Sequence, residues 1–262
     1  MPITQDPSTS RSPIRDPQLP LPGQSLDEER HDITHQVSGA FVVTVAVTVV
    51  LAATEWVRWL TNLRPHPVIL SMVGLGFVIL AFREFVKARR TVQCLTQGRD
   101  GEREVAQVLN ALALQGCHIF HDIPTGRGNL DHAIVSRFGV FAIETKAPSQ
   151  RGRKPHVRFD GRHLEIDGIG RRDEMVDQAE AQARWLRELL SNETGKPVAV
   201  QAVLTFPGWW VDVDGKPWEL RTWVVNPKAL LKMVPHSEVL SDEQVRDMVY
   251  RLTKYVRERQ VQ

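Results

Sequence analysis

Two long runs without a charged residue constrain this chain more than any other feature. The run from Val37 to Thr54 holds 18 uncharged residues, and the run from Val68 to Phe82 holds 15. The first is long enough to cross a bilayer, whereas the second must be extended to 67–86 to approach the roughly 20 residues of a span. We therefore expect a transmembrane helical hairpin over residues 37–90. A buried helical hairpin in a soluble protein is the alternative.

The distribution of basic residues predicts the orientation of this hairpin. The loop at 55–67 carries Arg58 and Arg64, and a denser basic cluster follows the second run. That cluster comprises Arg83, Lys87, Arg89 and Arg90. Because such clusters stay on the cytoplasmic side, we expect a multi-pass protein of the inner (plasma) membrane with both termini in the cytoplasm. A cleaved signal peptide does not fit, since the first run begins far from the N-terminus and follows an acidic stretch.

The segments on either side of the hairpin differ in composition. Residues 1–36 hold six prolines and few large apolar side chains, which predicts a disordered N-terminal tail. The C-terminal half mixes helical and strand patterns: a helix over 101–115, strands over 117–123, 130–136 and 140–146, a helix over 173–190, strands over 198–205 and 221–225, and a helix over 241–259. We expect a domain at 98–206 with α-β-β-β-α-β order, and an extension at 207–262 packed on it. A net charge of +2 and two cysteines exclude a strongly basic chain and a disulfide scaffold.

Two carboxylates and an ammonium group are expected to meet at one end of a predicted β-hairpin. Side chains alternate faces along a strand, so Glu144 and Lys146 project from the same side of the third strand. A short turn joins the second and third strands, which places Asp131 opposite Glu144 or within about one residue of it. Like charges that close repel unless a cation lies between them or one takes up a proton. A surface ion-pair cluster is the alternative interpretation.

Magnesium suits such a site, because this hard ion is usually held by one or two carboxylates together with waters and substrate phosphates; Mn²⁺ is the second candidate. Such an ion polarises a phosphoryl oxygen and lowers the pKa of a bound water. Lys146 would position or deprotonate the attacking water, or balance charge on the phosphate. Glu102, near the start of the first predicted helix, either completes the site or only stabilises that helix terminus. Gln178 and Gln182 share a face of the second helix and could orient the site.

The motifs that carry this site resemble those of the nuclease-related domain (NERD), a member of the PD-(D/E)xK nuclease superfamily. They are Gly101-Glu102, Asn129-Leu130-Asp131-His132 and the run from Phe138 to Lys146. The resemblance covers about residues 98–206. It implies an α/β fold with a restriction-endonuclease-like mixed sheet flanked by helices, here preceded by the two membrane helices. It also implies metal ligands at Asp131 and Glu144, a catalytic lysine at Lys146, and assisting roles for Glu102 and Gln178.

A basic segment adjoins the predicted site. Residues 146–172 carry eight lysines and arginines against three acids. The candidate contacts to nucleic-acid phosphates are Arg151, Arg153, Lys154 and Arg158. A solvated loop, or one that meets anionic lipid headgroups, is the alternative.

Together these features predict a membrane-anchored, metal-dependent nuclease that acts on nucleic acid, with DNA favoured over RNA by the habit of the superfamily. Two other functions stay open. The domain could be a nucleic-acid-binding module without catalysis, or a membrane scaffold or signalling protein. The sequence does not indicate the oligomeric state.

Overall fold

Two long helices precede the α/β part of the chain. The structure, a computed structural model, describes residues 19–61, 64, 67–126, 128–149, 155–235 and 237–260. Helix α1 spans Gln24–Leu60 and helix α2 spans Pro67–Ala113. Both are long and apolar enough to cross a membrane by length and composition, and their apolar windows are not buried by the rest of the chain. Residues 24–36, expected to belong to a disordered tail, instead form the start of α1, whereas residues 1–18 lie outside the described residues.

Helix α2 runs without interruption from the second apolar run into the α/β part. The helix predicted at 101–115 is therefore the last portion of a 47-residue helix. The physical reason is that no proline interrupts the chain between Pro67 and Pro124, so nothing stops the helix before Gly116. Glu102 consequently lies deep inside α2. Its interpretation as an acid that only stabilises a helix N-terminus is wrong, because that effect fades within the first turn.

The strands form two sheets. In chain order they are β1 (His118–Pro124), β2 (Asn129–Ser136), β3 (Gly139–Thr145), β4 (His156–Phe159), β5 (Leu164–Ile166), β6 (Gly170–Arg171), β7 (Val200–Thr205), β8 (Trp210–Val213) and β9 (Thr222–Val225). The central sheet has the order β1-β2-β3-β7-β9 and the smaller one β6-β5-β4-β8. In the central sheet, β2 is antiparallel to both of its neighbours, β1 and β3, and β7 and β9 run parallel to β3. The sheet is therefore mixed, as predicted.

Helices cover both faces of the central sheet. The remaining helices are α3 (Asp173–Thr194), α4 (Leu230–Met233) and α5 (Asp242–Gln260). Val140 and Ala142 of β3 face the core shared with α3 and α5, whereas Phe141 and Ile143 face the core shared with α2 and α4. Full burial of a valine, isoleucine or phenylalanine side chain contributes about 1.5–3 kcal/mol. The expected α/β fold, a mixed sheet flanked by helices, is confirmed.

The C-terminal segment is more than a layer packed on the domain. The segment 207–262 supplies β9 to the edge of the central sheet and β8 to the smaller one. Its helix α5 then buries Val245, Met248 and Leu252 against the central sheet. The domain's sheets therefore extend beyond residue 206, where sequence motifs ended.

Candidate functional site

A tight turn between β2 and β3 sets the register of the site. Ser136 pairs with Gly139 and His132 pairs with Ile143, so the same register places Asp131 opposite Glu144. Gly139 has a φ of 129°, which favours glycine at the end of this turn. The predicted position of Asp131 relative to Glu144 is confirmed.

Glu144 is buried, and within the described part of the chain its hydrogen bonds all go to one carboxylate oxygen. Its side chain is 3% exposed. Lys146 donates to Oε1 at 2.5 Å, and Gln178 donates to the same oxygen at 2.6 Å. Oε2 has no partner among the described residues. A buried polar atom left without a partner costs about 1–3 kcal/mol, so this oxygen has an unmet requirement for a cation or a donor.

Asp131 lies beside Glu144, in surroundings that disfavour its ionised form. Its Oδ2 accepts a hydrogen bond from the Thr145 amide at 2.6 Å. Burial raises the pKa of Asp131 well above its ordinary value, and the nearby charges of Glu144 and Glu102 raise it further. The charged form of this carboxyl group therefore needs a positive partner.

Helix α2 brings Glu102 to the same place. Burial, followed by the charges of Asp122 and Glu144, raises the pKa of Glu102 from 4.5 to about 7. The preceding residue, Gly101, allows this approach, because a Cβ there would lie 2.6 Å from the Cβ of Ala147. The Gly-Glu pair thus lets α2 approach the chain just after β3 and carries an acid into the site.

The donor set fits a hard divalent cation. Within the described ranges, no group of three or more His, Cys, Asp and Glu side chains is placed to hold a metal ion. Asp131 and Glu144 offer two carboxylates, and one of these has a buried oxygen with no partner among the described residues. Two carboxylates suit Mg²⁺, which keeps several of its waters, whereas a zinc site uses three or four protein ligands.

Sequence reasoning missed Asp122 and Ser25. Asp122 accepts hydrogen bonds from the Ser25 amide at 2.6 Å, the Ser25 hydroxyl at 2.9 Å and the Asn129 side chain at 2.7 Å. It is the one non-glycine residue with a positive φ, 50°, in the part of the chain that the structure describes. His121 pairs with His132 and Ile123 pairs with Leu130, so Asp122, which lies between them, is opposite Asp131. Its only sequence signal was a carboxylate near the end of the strand predicted at 117–123.

Two further polar residues near the site have defined partners. The Nδ1 atom of His132 lies 2.8 Å from Nδ1 of His121. Burial, together with the charge of His121, lowers the pKa of His132 well below its ordinary value, which favours a neutral ring. Gln182 donates to the Asn129 carbonyl at 3.1 Å. Of the two glutamines on α3, Gln178 therefore reaches the candidate site, and Gln182 holds the start of β2.

The candidate phosphate contacts fall partly outside the described residues. Arg151, Arg153 and Lys154 lie outside them. Arg158 is exposed on β4, in the smaller sheet, and its Nη1 lies 3.9 Å from Oδ1 of Asp167. The role of this segment stays a prediction.

Comparison with known proteins identifies the class of this domain. Residues 97–207 match the family model of NERD, the nuclease-related domain. This part of the chain is therefore similar to the nuclease-related domain, as its motifs indicated. No curated protein matches the chain.

One solved structure is similar, that of Pyrococcus furiosus SfsA in complex with Ca²⁺. The identity is 17%, the TM-score is 0.23, and the match covers 62% of this chain and 53% of SfsA. The match thus spans about half of the length of SfsA.

Proposed function

We propose that the chain is a membrane-anchored nuclease that hydrolyses phosphodiester bonds of nucleic acid with a divalent metal ion. DNA is the favoured substrate. The observation that carries this proposal is the pairing of Asp131 with Glu144 beside Lys146, in which a buried oxygen of Glu144 has no partner among the residues that the structure describes. The match to a nuclease-related domain over residues 97–207 supports the same chemistry.

Each residue of the site has a distinct part in this proposal. Asp131 and Glu144 would hold Mg²⁺ or Mn²⁺, which supplies Lewis acidity and lowers the pKa of a bound water. Gln178 fixes the orientation of Glu144 through its hydrogen bond to Oε1. Lys146 gives a positive charge where negative charge builds on the phosphate. Glu102, with a pKa of about 7, is poised to take up or release a proton near neutral pH.

The helical pair α1 and α2 would anchor this domain to the cytoplasmic face of a membrane. Their apolar windows are not buried by the chain itself, and large exposed apolar surfaces of this kind mark membrane or protein contacts. Because α2 continues into the helix that carries Glu102, the distance between bilayer and site is fixed by a rigid helix. The domain would therefore act on nucleic acid that comes close to the membrane.

The deciding experiment is a cleavage assay on the full chain in detergent micelles. Plasmid, linear DNA and RNA are incubated with increasing Mg²⁺ or Mn²⁺, with excess chelator as the control. We expect metal-dependent cleavage that disappears in Glu144→Gln. Wild-type protein that melts cooperatively and binds the divalent ion, but cleaves none of the substrates, would contradict the proposal.

One observation favours a second function, a nucleic-acid-binding module without catalysis. Lys146 is bound to Glu144 at 2.5 Å, so in this arrangement the lysine already has its counter-charge within the protein. A module of this kind would bind nucleic acid through the same surface and show no metal-dependent cleavage.

A further inference from the structure

Asp27 of α1 lies among three arginines, close to the candidate site. Its Oδ1 is 3.0 Å from Nη1 of Arg99 and 3.2 Å from Nη2 of Arg30, and its Oδ2 is 2.6 Å from Nη2 of Arg103. Burial alone would raise the pKa of Asp27, but the hydrogen bond and charge of Arg99, with the charges of Arg103 and Arg30, outweigh it and lower that pKa. Three guanidinium groups thus surround the Asp27 carboxylate, and one of them, that of Arg99, also binds Asp100, with Nη2 2.7 Å from Oδ1.

This cluster, which we term the arginine triad (Arg30, Arg99 and Arg103), is directly connected to the site. Arg99 and Arg103 lie one turn apart on α2, on either side of Glu102. The segment that carries Asp27 also reaches the site's carboxylates, since Ser25 donates to Asp122 and the Gly23 backbone donates to Glu102. Gly98 allows the close approach of α1 here, because a Cβ there would lie 3.2 Å from Cδ1 of Leu26.

The triad is accessible from solvent. A cavity of about 630 Å³ opens beside two of its members, Arg30 and Arg103, and Asp27, Glu28 and His31 also contribute to its walls. The side chain of Arg103 is 49% exposed and that of Arg99 is 16% exposed. An anion that entered this cavity would meet guanidinium groups, whose planar donors match phosphate oxygens.

The position of the triad along the helices separates two sources of phosphate. Asp27 precedes the first uncharged residue of the apolar run, Val37, by ten positions, which is about 15 Å along a helix axis. The headgroup layer on one side of a bilayer is only roughly 5–8 Å deep. The triad therefore lies beyond the headgroups of an upright hairpin, on the side of the nuclease-related domain.

We propose that Arg30, Arg99 and Arg103 form a phosphate-binding site for the nucleic-acid backbone, and that the carboxylate of Asp27 occupies this site as an internal substitute for phosphate. This inference rests on the proposed function, because it adds a contact for the same substrate beside the same site. Nucleic acid would displace Asp27 from the triad, and the start of α1 would move away from Glu102 and Asp122 with it. Asp27 thus competes with the substrate for the triad and weakens substrate binding.

The test measures binding of a fluorescent DNA duplex to the full chain in detergent, with excess chelator so that cleavage plays no part. Asp27→Asn should tighten binding by roughly three- to tenfold, which corresponds to about 0.7–1.4 kcal/mol of lost competition. Arg103→Gln should weaken binding and reduce the slope of log affinity against log salt by about 0.9. The gain from Asp27→Asn should vanish when Arg103→Gln is also present. The matched control is Glu29→Gln, which removes the same charge from an exposed position of the same helical segment and should have less effect than Asp27→Asn.

Several outcomes would overturn the inference. If Asp27→Asn and Glu29→Gln act alike, or if the gain persists in the double variant, Asp27 acts through general charge and not through the triad. If Asp27→Asn lowers the melting temperature, the test rests on Arg103→Gln. An unchanged slope of log affinity against log salt in that variant contradicts the proposal. A change in binding to phosphatidylglycerol vesicles without a change in DNA binding would assign the triad to lipid. If wild type cleaves DNA, and Asp27→Asn and Arg103→Gln bind DNA as tightly as wild type does, this inference is wrong and the proposed function stands. If wild type neither cleaves nor binds DNA, the proposed function is wrong as well.

Discussion

Ser25 donates two hydrogen bonds to the carboxylate of Asp122, one from its amide at 2.6 Å and one from its hydroxyl at 2.9 Å. Ser25 lies in the first turn of α1, the helix that carries the first apolar run. Asp122 lies on β1, opposite Asp131 in the pairing with β2. It also accepts a hydrogen bond from Asn129, at the start of β2. The two long apolar helices and the candidate site are therefore joined by direct polar contacts as well as by the continuity of α2.

Divalent metal should stabilise the protein through Asp131 and Glu144. A cation between the two carboxylates offsets their repulsion, and a ligand at 100 times its Kd adds about 2.7 kcal/mol to the free energy of unfolding. Thermal melting with Mg²⁺ or Mn²⁺ should show a shift in wild type that shrinks in Asp131→Asn and Glu144→Gln. The control Glu165→Gln removes an exposed carboxylate from β5 and should keep the shift. Equal shifts in all four proteins would place the ion elsewhere.

The stability of the metal-free protein should depend on pH through Glu102. Its pKa is about 7 in the folded protein and 4.5 ordinarily, so the folded state binds more protons between these values. The contribution of Glu102 to the free energy of unfolding should therefore be most favourable below about pH 4.5, and should fall as the pH rises through about 7. Melting temperatures of wild type and Glu102→Gln, measured with chelator over this pH range, give the contribution of Glu102. The variant should show a smaller fall over that window, and identical curves would contradict the assignment.

The strand pattern was enough to predict the centre of the site. Alternation along β3 placed Glu144 and Lys146 on one side, and a turn of two residues left little freedom for the position of Asp131. These are local constraints, since the hairpin closes over few residues. The first strand was different, because the loop before β2 does not fix its register, and the position of Asp122 could not be predicted.

Contacts between distant segments were beyond the reach of the sequence patterns. Ser25 and Asp122 are 97 residues apart, and the prolines before Gln24 made the whole N-terminal segment resemble a disordered tail. Order there comes from α2, whose Arg99 and Arg103 bind Asp27. Likewise, the basic cluster after the second apolar run predicted the end of a span, but basic residues do not stop a helix.

The topology of the hairpin can be tested by cysteine labelling. Single cysteines are placed at Pro20, Arg64 and Gln262 in a Cys94→Ser background, because Cys94 is exposed. A reagent that cannot cross membranes should label only position 64 in sealed, right-side-out vesicles, and all three positions after detergent is added. In the unmodified chain, Cys94 should be protected in intact vesicles. Labelling of position 262 before lysis would contradict a hairpin with cytoplasmic ends.

The basic segment after β3 should contribute affinity that is independent of base sequence. Each lysine or arginine that neutralises a phosphate releases counterions, so its loss reduces the slope of log affinity against log salt by roughly 0.9 for duplex DNA. The test variant neutralises Arg151, Arg153, Lys154 and Arg158. The control variant neutralises four exposed cations of α3 and α5, namely Arg184, Arg187, Lys254 and Arg257. If both variants keep the wild-type slope, the segment does not contact nucleic acid.

Opposite charges at the centre of the site allow an enzyme to be told from a binding module. Asp131→Asn and Glu144→Gln remove negative charge beside an incoming phosphate, so binding of nucleic acid without metal should stay level or tighten. Cleavage should nevertheless collapse, because the ligands of the metal are lost.

Lys146→Ala removes a positive group, so binding should weaken modestly. Turnover should drop by roughly 10²–10³-fold, comparable to the loss of one preorganised electrostatic donor. Lys146→Arg keeps the charge and should retain binding, which makes it the control for the charge effect. An enzyme thus shows opposite signs in binding for the carboxylates and the lysine, with cleavage reduced in Asp131→Asn, Glu144→Gln and Lys146→Ala alike. A binding module shows the same signs with no metal-dependent cleavage in wild type. If these three substitutions leave binding and cleavage unchanged, Asp131, Glu144 and Lys146 form a structural ion-pair cluster, and the proposed site is wrong.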